Sequence, residues 1–345
     1  MMRQQLVQVA EDIGAKGKGI LAADESSGTI KKRFDGISVE STEENRRDYR
    51  ELLFRTSDAL SECISGVILF DETLRQSAAD GTPLVQLLSD AGSIPGIKID
   101  KGAHDLAGAP GEKVTEGLDG LRERLAEYYE LGARFTKWRA VIDIGRGGDR
   151  AIPSAYGIGA NAHALARMAA LSQEQGLVPI VEPEVLMDGD HDIDRCFEVT
   201  EATLKQVYMA LFHQRVLLEG SVLKPNMVLS GKLCADQAGV DEVAEKTVRC
   251  LKRAVPSSVP SIVFLSGGQS DIEATAHLNA MNAGFDTPWN LSFSYGRALQ
   301  AAPLQAWGGA ADNGPAAQAA FAHRARMNGL ATRGKWSMEL ERAAA

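Results

Sequence analysis

Residues 176–185 read GLVPIVEPEV and residues 216–224 read VLLEGSVLK. Both are short apolar runs that finish in charge, the first on Glu182 and Glu184, the second on Lys224 with Pro225 behind it. Outward from this pair the same kind of run returns at GKGILAADE (17–25), SGVILFDE (65–72), GIKID (96–100), RFTKWRAV (134–141), SIVFLSGG (261–268) and WNLSFSYG (289–296). Longer charged stretches separate them, with apolar residues at helical spacing. In 43–60 these are Tyr49, Leu52, Leu53 and Leu60, behind a start signal at Ser41, Thr42 and Glu44. The stretch 160–175 stops at Gly176, a natural helix end. Strands alternating with helices imply parallel βαβ units. Eight of them predict an α/β fold, a (β/α)8 TIM barrel over about residues 17–310 in a single domain, 1–345.

A chain of 345 residues, 44% hydrophobic and 24% charged, can bury such a core without a disulfide or metal staple. Its formal charge of −9, with no Lys/Arg-rich block, argues against a nucleic-acid partner. A phosphorylated ligand would need a basic pocket inside an acidic shell. Cys63, Cys196, Cys234 and Cys250 form no CxxC pair, which suits a reducing compartment. The opening MMRQQLVQVAEDIGAKG reads as an amphipathic helix rather than a signal peptide, and no run reaches the ~18 apolar residues of a membrane span. A cytoplasmic protein with no membrane partner is expected. GRGGDRAI (145–152) reads as a surface loop, and the tail 336–345, ending in Ala-Ala-Ala, as a flexible segment.

Barrel interiors are usually filled by bulky branched side chains, so charge at the strand ends needs a reason. Asp24 and Glu25 close the first run, and Lys98 and Asp100 stand two apart on the third. Lys137 and Arg139 do the same on the fourth, Glu182 and Glu184 on the fifth, and Lys224 ends the sixth. One such residue is most simply a solvated strand end. Repetition at the same end of successive strands predicts one charged mouth. A lysine there, crowded by other ammonium groups and desolvated, is disposed to act as a neutral amine. It can attack a ketone to form a Schiff base, with nearby carboxylates moving the protons. The iminium then draws electrons from a neighbouring C–C bond, which is aldol chemistry.

The last two runs lead into LSGGQS (265–270) and FSYGRA (293–298). Barrels often hold a phosphate between the loops after strands 7 and 8. Gly267 and Gly268 allow close backbone approach, and Arg297 supplies a forked cation. Ser26, Ser27, Gly28 and Thr29, ahead of a helix expected near Lys31, offer a second anion site with Lys32 and Arg33. Two such sites would suit a sugar phosphorylated at both ends.

These segments resemble the class I fructose-bisphosphate aldolase family. The likeness is carried by GKGILAADES (17–26), TEENRR (42–47), GVILFDETL (66–74), GIKIDKG (96–102), KWR (137–139), VPIVEPE (178–184), DGDHD (188–192), VLKPNM (222–227), FLSGGQS (264–270) and FSYGRALQ (293–300), and spans about 17–310. It implies that Lys224 is the Schiff-base lysine and Glu182 the acid/base, with Glu184 orienting the lysines. Asp24 matches the aspartate that takes the C4-hydroxyl proton, and Lys137 the lysine that assists it, with Lys98 and Arg139 completing the basic cluster. Ser266, Gly267, Gly268, Ser294, Gly296 and Arg297 match the C1-phosphate site, and Ser26, Thr29 and Arg33 are candidates for the C6-phosphate end. The implied reaction splits fructose 1,6-bisphosphate reversibly into dihydroxyacetone phosphate and glyceraldehyde 3-phosphate. No cofactor and no metal are implied, and a homo-oligomer, a tetramer in this family, is expected.

The chain departs from the family at three places. It ends ELERAAA without the terminal tyrosine of many members, it reads Ile158-Gly-Ala-Asn-Ala where many carry a glutamate, and the loop at 145–152 is long. A metal-dependent aldolase would need clustered histidines, but His104, His163, His191, His213, His277 and His323 form no i,i+4 or HxH pair. His191, within DGDHD, is expected to be a structural hydrogen-bonding residue. Other readings are a Schiff-base aldolase for another phosphoketose and a partner-binding scaffold on the same barrel.

Overall fold

The computed structural model of the chain describes residues 2–343. Among them a closed parallel barrel is built from β1 (Gly19–Ala23), β2 (Ile64–Leu69), β3 (Ile94–Lys98), β4 (Phe135–Ile142), β5 (Val178–Val185), β6 (Val222–Leu223), β7 (Ser261–Phe264) and β8 (Asn290–Tyr295). Each predicted run overlaps one strand, and the ring closes where β1 pairs with β8, Ile20 opposite Ser294. The sixth strand is much shorter than its run, because Leu218–Gly220 coil into a 3-10 turn.

Period-2 alternation explains the interior. The inward side chains Ile20, Ala22, Ile68, Phe135, Val178, Ile180, Val222 and Val263 pack together at the N-terminal end of the ring, and Leu6, Ala10 and Ile13 of the helix Met2–Ile13 plug it from below. Burying each branched side chain contributes roughly 1.5–3 kcal/mol. Phe135 fills the centre only because β2 and β3 carry glycine beside it. A Cβ on Gly96 would lie 2.2 Å from its ring. One alternation step further along the strands, the same inward face turns from apolar to charged. Ala22 is followed by Asp24, Gly96 by Lys98, Phe135 by Lys137, Ile180 by Glu182 and Val222 by Lys224.

Several local expectations change. The predicted helix over 43–60 is two helices, Glu43–Phe54 and Ser57–Cys63, because the Thr42-capped first one ends at Arg55 and the chain must turn into β2. The helix ending before Gly176 begins earlier than expected, at Ala155, where Ser154 accepts from the Gly157 N–H. The helix after β1 starts at Ser27 rather than near Lys31, which puts Gly28 and Thr29 in its first turn. The segment 145–152 is not an irregular loop but a hairpin, Gly145–Gly147 against Arg150–Ile152, and its glycines supply the turn.

The tail also differs. Met338–Ala343 form a helix, and Glu341 is buried against the helix Gly314–Ala331 through Arg324 and His323. A buried ion pair holds part of the segment expected to be flexible. Ala344 and Ala345 lie outside the described residues.

Candidate active site

At the C-terminal mouth of the barrel lies a cavity of about 540 Å³, within the usual range for a small-ligand site. Of the residues singled out at the strand ends, Asp24, Glu25, Lys98, Lys137, Arg139, Glu182, Glu184 and Lys224 line it, while Asp100, two residues beyond the end of β3, lines a neighbouring cavity instead. So do the anion candidates Ser26, Thr29, Arg33, Ser266, Gly267, Gly268, Ser294, Gly296 and Arg297. Eight cationic side chains face five acidic ones among its lining residues, an excess of three positive charges in a chain of net charge −9. The local basic pocket is present.

Strand register assembles the centre. Leu223 of β6 lies opposite Val181 of β5, so the next residues, Lys224 and Glu182, meet. Arg139 of β4 lies opposite Glu182, and Lys137 of β4 opposite Lys98 of β3. Lys224 Nζ is 3.0 Å from Glu182 Oε1, while Lys137 Nζ is 2.6 Å from Asp24 Oδ2 and 3.3 Å from Glu182 Oε2. One carboxylate thus stands between two buried ammonium groups. Its Oε2 is buried and, apart from this ion contact with Lys137, has no hydrogen-bond partner among the described residues.

The charges here are paired because an isolated ion this deep costs several kcal/mol. Burial pushes the Asp24 carboxyl up, but Lys137 and then Lys224 outweigh it and hold the group far below its ordinary range. Burial likewise opposes ionisation of Glu182, and Lys137, Lys224 and Arg139 more than offset it. Lys137 is held above its ordinary value, since Asp24, Glu182 and Asp100 overcome its own desolvation. Two expectations shift accordingly. The nearest charge to Lys224 is a carboxylate rather than another ammonium group. Glu184 does not contact the lysines but accepts from Arg139 Nε, because it stands two residues further along the strand and nearer the rim.

The loop after β7 carries Ser266, Gly267 and Gly268. Gly268 has φ of 80°, and a Cβ there would press on Met187 at 2.9 Å. Gly267 leaves no more than 3.0 Å between such a Cβ and Glu184. After β8, Gly296 precedes the helix Arg297–Trp307, and the buried Ser294 hydroxyl has no hydrogen-bond partner among the described residues. Arg297 Nη2 donates to the Gln269 carbonyl at 3.3 Å.

The trio expected at one anion end divides. Arg33 pairs with Glu25 and points toward the β8 loop, 3.5 Å from where a Cβ on Gly296 would stand. Ser26, whose hydroxyl is 3.2 Å from that of Thr29, also lines a neighbouring cavity with Lys98. Glu25 also lines the mouth, where it is buried and tied to Arg33, Arg50 and Gln300.

Lys232, Met187, Asp188, Leu186 and Leu265 also line the cavity, and sequence reading missed them. Lys232 arrives on a loop after β6 and pairs with Asp188, a contact between segments with no local signal. His191 has no hydrogen-bond partner on either ring nitrogen among the described residues and packs beside Gly189 and Gly231. His277, by contrast, is hydrogen-bonded, its Nδ1 2.7 Å from Gln269 Oε1. Among the described residues no three His, Cys, Asp or Glu side chains gather in a group that could hold a metal ion. No helix of the described residues is long and apolar enough to cross a membrane.

Comparison with known proteins bears on this geometry. The family described as fructose-bisphosphate aldolase class-I matches residues 5–345. A probable fructose-bisphosphate aldolase class 1 of Xanthomonas campestris pv. campestris is 61% identical over 97% of this chain and 99% of its own length. The cytosolic fructose-bisphosphate aldolase 6 of Arabidopsis thaliana is 56% identical over 96% of this chain and 91% of its own. Among solved structures, fructose-bisphosphate aldolase from Plasmodium falciparum, in complex with TRAP and a small-molecule inhibitor, superposes with a TM-score of 0.95 at 49% identity, covering 97% of this chain and 96% of that one.

Proposed function

Because the chain belongs to the class I fructose-bisphosphate aldolase family, we propose that Lys224 is its covalent nucleophile and Glu182 the group that moves the protons. The chain is an enzyme, a lyase of glycolysis that cleaves fructose 1,6-bisphosphate. The observation that carries the residue assignment is the ammonium of Lys224 set 3.0 Å from Glu182 Oε1, both buried at the mouth of the barrel.

Chemistry follows from that contact. Glu182 can take the proton from Lys224, and the free amine attacks the C2 carbonyl of the ketose. Glu182 returns a proton to the carbinolamine oxygen, which leaves as water and yields the iminium. Asp24, 2.6 Å from Lys137, accepts the C4-hydroxyl proton. The C3–C4 bond breaks, its electrons pass into the iminium as an enamine, and the aldehyde departs. Protonation at C3 and hydrolysis then release dihydroxyacetone phosphate and regenerate Lys224. Lys137 remains charged throughout, its two carboxylate neighbours fixing it beside the developing oxyanion.

For the phosphates, one end of the sugar fits the loops after β7 and β8, with Ser266, Gly267, Gly268, Ser294, Gly296 and Arg297 joined by Arg33. The other fits Ser26 and Thr29 with Lys98 and Arg139, since Ser26 and Lys98 share a wall. We also assign the protein to the cytoplasm, in keeping with the relatives named cytosolic, and to a homo-oligomer, a tetramer, which a sizing measurement tests.

Borohydride reduction in the presence of dihydroxyacetone phosphate tests the central assignment. It should add a stable mass to the peptide Val222–Met227. Active, folded enzyme that gains no adduct there would show that the covalent route is wrong.

A further inference from the structure

The helix Met338–Ala343 is joined by hydrogen bonds to the start of the helix that follows the phosphate loop. Glu341 receives Trp336 Nε1 at 2.7 Å and Arg324 Nη1, with His323 Nε2 at 3.1 Å. Arg324, buried as well, directs its Nη2 to Thr275 Oγ1 at 2.6 Å and to the Asp271 carbonyl at 3.1 Å. Asp271 and Thr275 belong to the beginning of the helix Asp271–Gly284, which Ser270 and Glu273 close with a capping box. Trp336 adds a second tie to this helix, its N–H donating to Asn279 Oδ1 at 2.9 Å.

Immediately before that helix run Ser266, Gly267, Gly268 and Gln269. The Gln269 carbonyl is what Arg297 holds, and its side chain is what His277 holds. Fastening a chain end does not require a buried ion pair, since apolar residues of the same volume do it at no desolvation cost. What a carboxylate facing a guanidinium adds is direction, because the planar fork fixes where each N–H points. Here the fork points at the first turn behind the phosphate loop.

We propose that Glu341 is a positioning residue for the phosphate-binding loop. Through Arg324 it holds the first turn of Asp271–Gly284, and so sets where Ser266, Gly267, Gly268 and Arg297 meet a phosphate group. This rests on the reading that those residues receive a phosphate of the substrate.

The test compares wild type with Glu341→Gln in the full chain. It measures kcat and KM for fructose 1,6-bisphosphate, inhibition by inorganic phosphate, and borohydride trapping with unphosphorylated dihydroxyacetone. KM and the phosphate inhibition constant should rise together by about five- to tenfold. The kcat should stay within about twofold and trapping should be unchanged, because neither needs the loop aligned. The milder Trp336→Phe, which removes one donor to Glu341, should give the same split at smaller size and serves if Glu341→Gln folds poorly. Folded variants with unchanged KM and phosphate inhibition overturn the proposal. So does a parallel fall in kcat and trapping, which would mean general loosening of the barrel. Arg297→Ala is the separate control: if it leaves phosphate inhibition untouched, the phosphate assignment itself is at fault.

Discussion

Lys224 Nζ, just past the end of β6, stands 3.0 Å from Glu182 Oε1 on the adjacent β5, and the other oxygen of Glu182 faces Lys137 at 3.3 Å. A single carboxylate therefore serves two lysines, one of which can be freed for attack while the other stays charged. Replacing Lys224 with alanine removes the amine that bonds to the ketose, which neither Glu182 nor Asp24 can replace. Cleavage should fall by at least about three orders of magnitude, with the circular-dichroism spectrum unchanged and the Val222–Met227 peptide no longer labelled.

The two glutamates of VEPE should behave differently. Glu182→Gln keeps the shape but cannot shuttle a proton, so kcat should drop by roughly 10²- to 10⁴-fold. Glu184 contacts Arg139 instead, so Glu184→Gln should act mainly on KM through the cation that it steadies. Steady-state kinetics on both variants decide this. Equal losses of kcat would remove the distinction.

Stability should decline at both ends of the pH scale. Glu182 and Asp24 titrate below their ordinary values of 4.5 and 3.8 in the folded chain. Their contribution is complete above those ordinary values and is lost as pH falls through the lower folded ones. Lys137 titrates above its ordinary 10.5, so its contribution is complete below that value and fades as pH rises through the higher folded one. Urea midpoints against pH should show both limbs, and Lys137→Met should flatten them.

A gentler acid limb belongs to His277, which burial lowers from 6.5 to about 4. Between those values the unfolded chain binds the extra proton, so stability falls as pH drops from 6.5 toward 4. His277→Gln should remove this slope. Because Gln269 loses its partner, phosphate inhibition should weaken in the same variant.

Fructose 1-phosphate lacks the group assigned to Ser26, Thr29, Lys98 and Arg139. Its kcat/KM should lie well below that of the bisphosphate, and Lys98→Met should narrow the gap by weakening only the bisphosphate. Near-equal values in wild type would undo that phosphate assignment. Activity of the wild type should persist in EDTA, since every catalytic role here is given to a side chain.

The order of strands, the amphipathic N-terminal helix and the charges at the strand ends were all legible in the amino-acid sequence. They depend on run length and on alternation, which neighbouring residues set between themselves: Phe135, Lys137 and Arg139 share a face wherever the strand lies. Which carboxylate answers which cation was not legible. Glu182 bridges Lys224 and Lys137, Glu184 turns to Arg139, and Arg33 leaves Ser26 and Thr29 for the β8 loop, because strand register and ring closure bring together residues far apart in the chain. Lys232 and the Glu341–Arg324 pair arise the same way, from loops and helices whose meeting leaves no trace in local spacing.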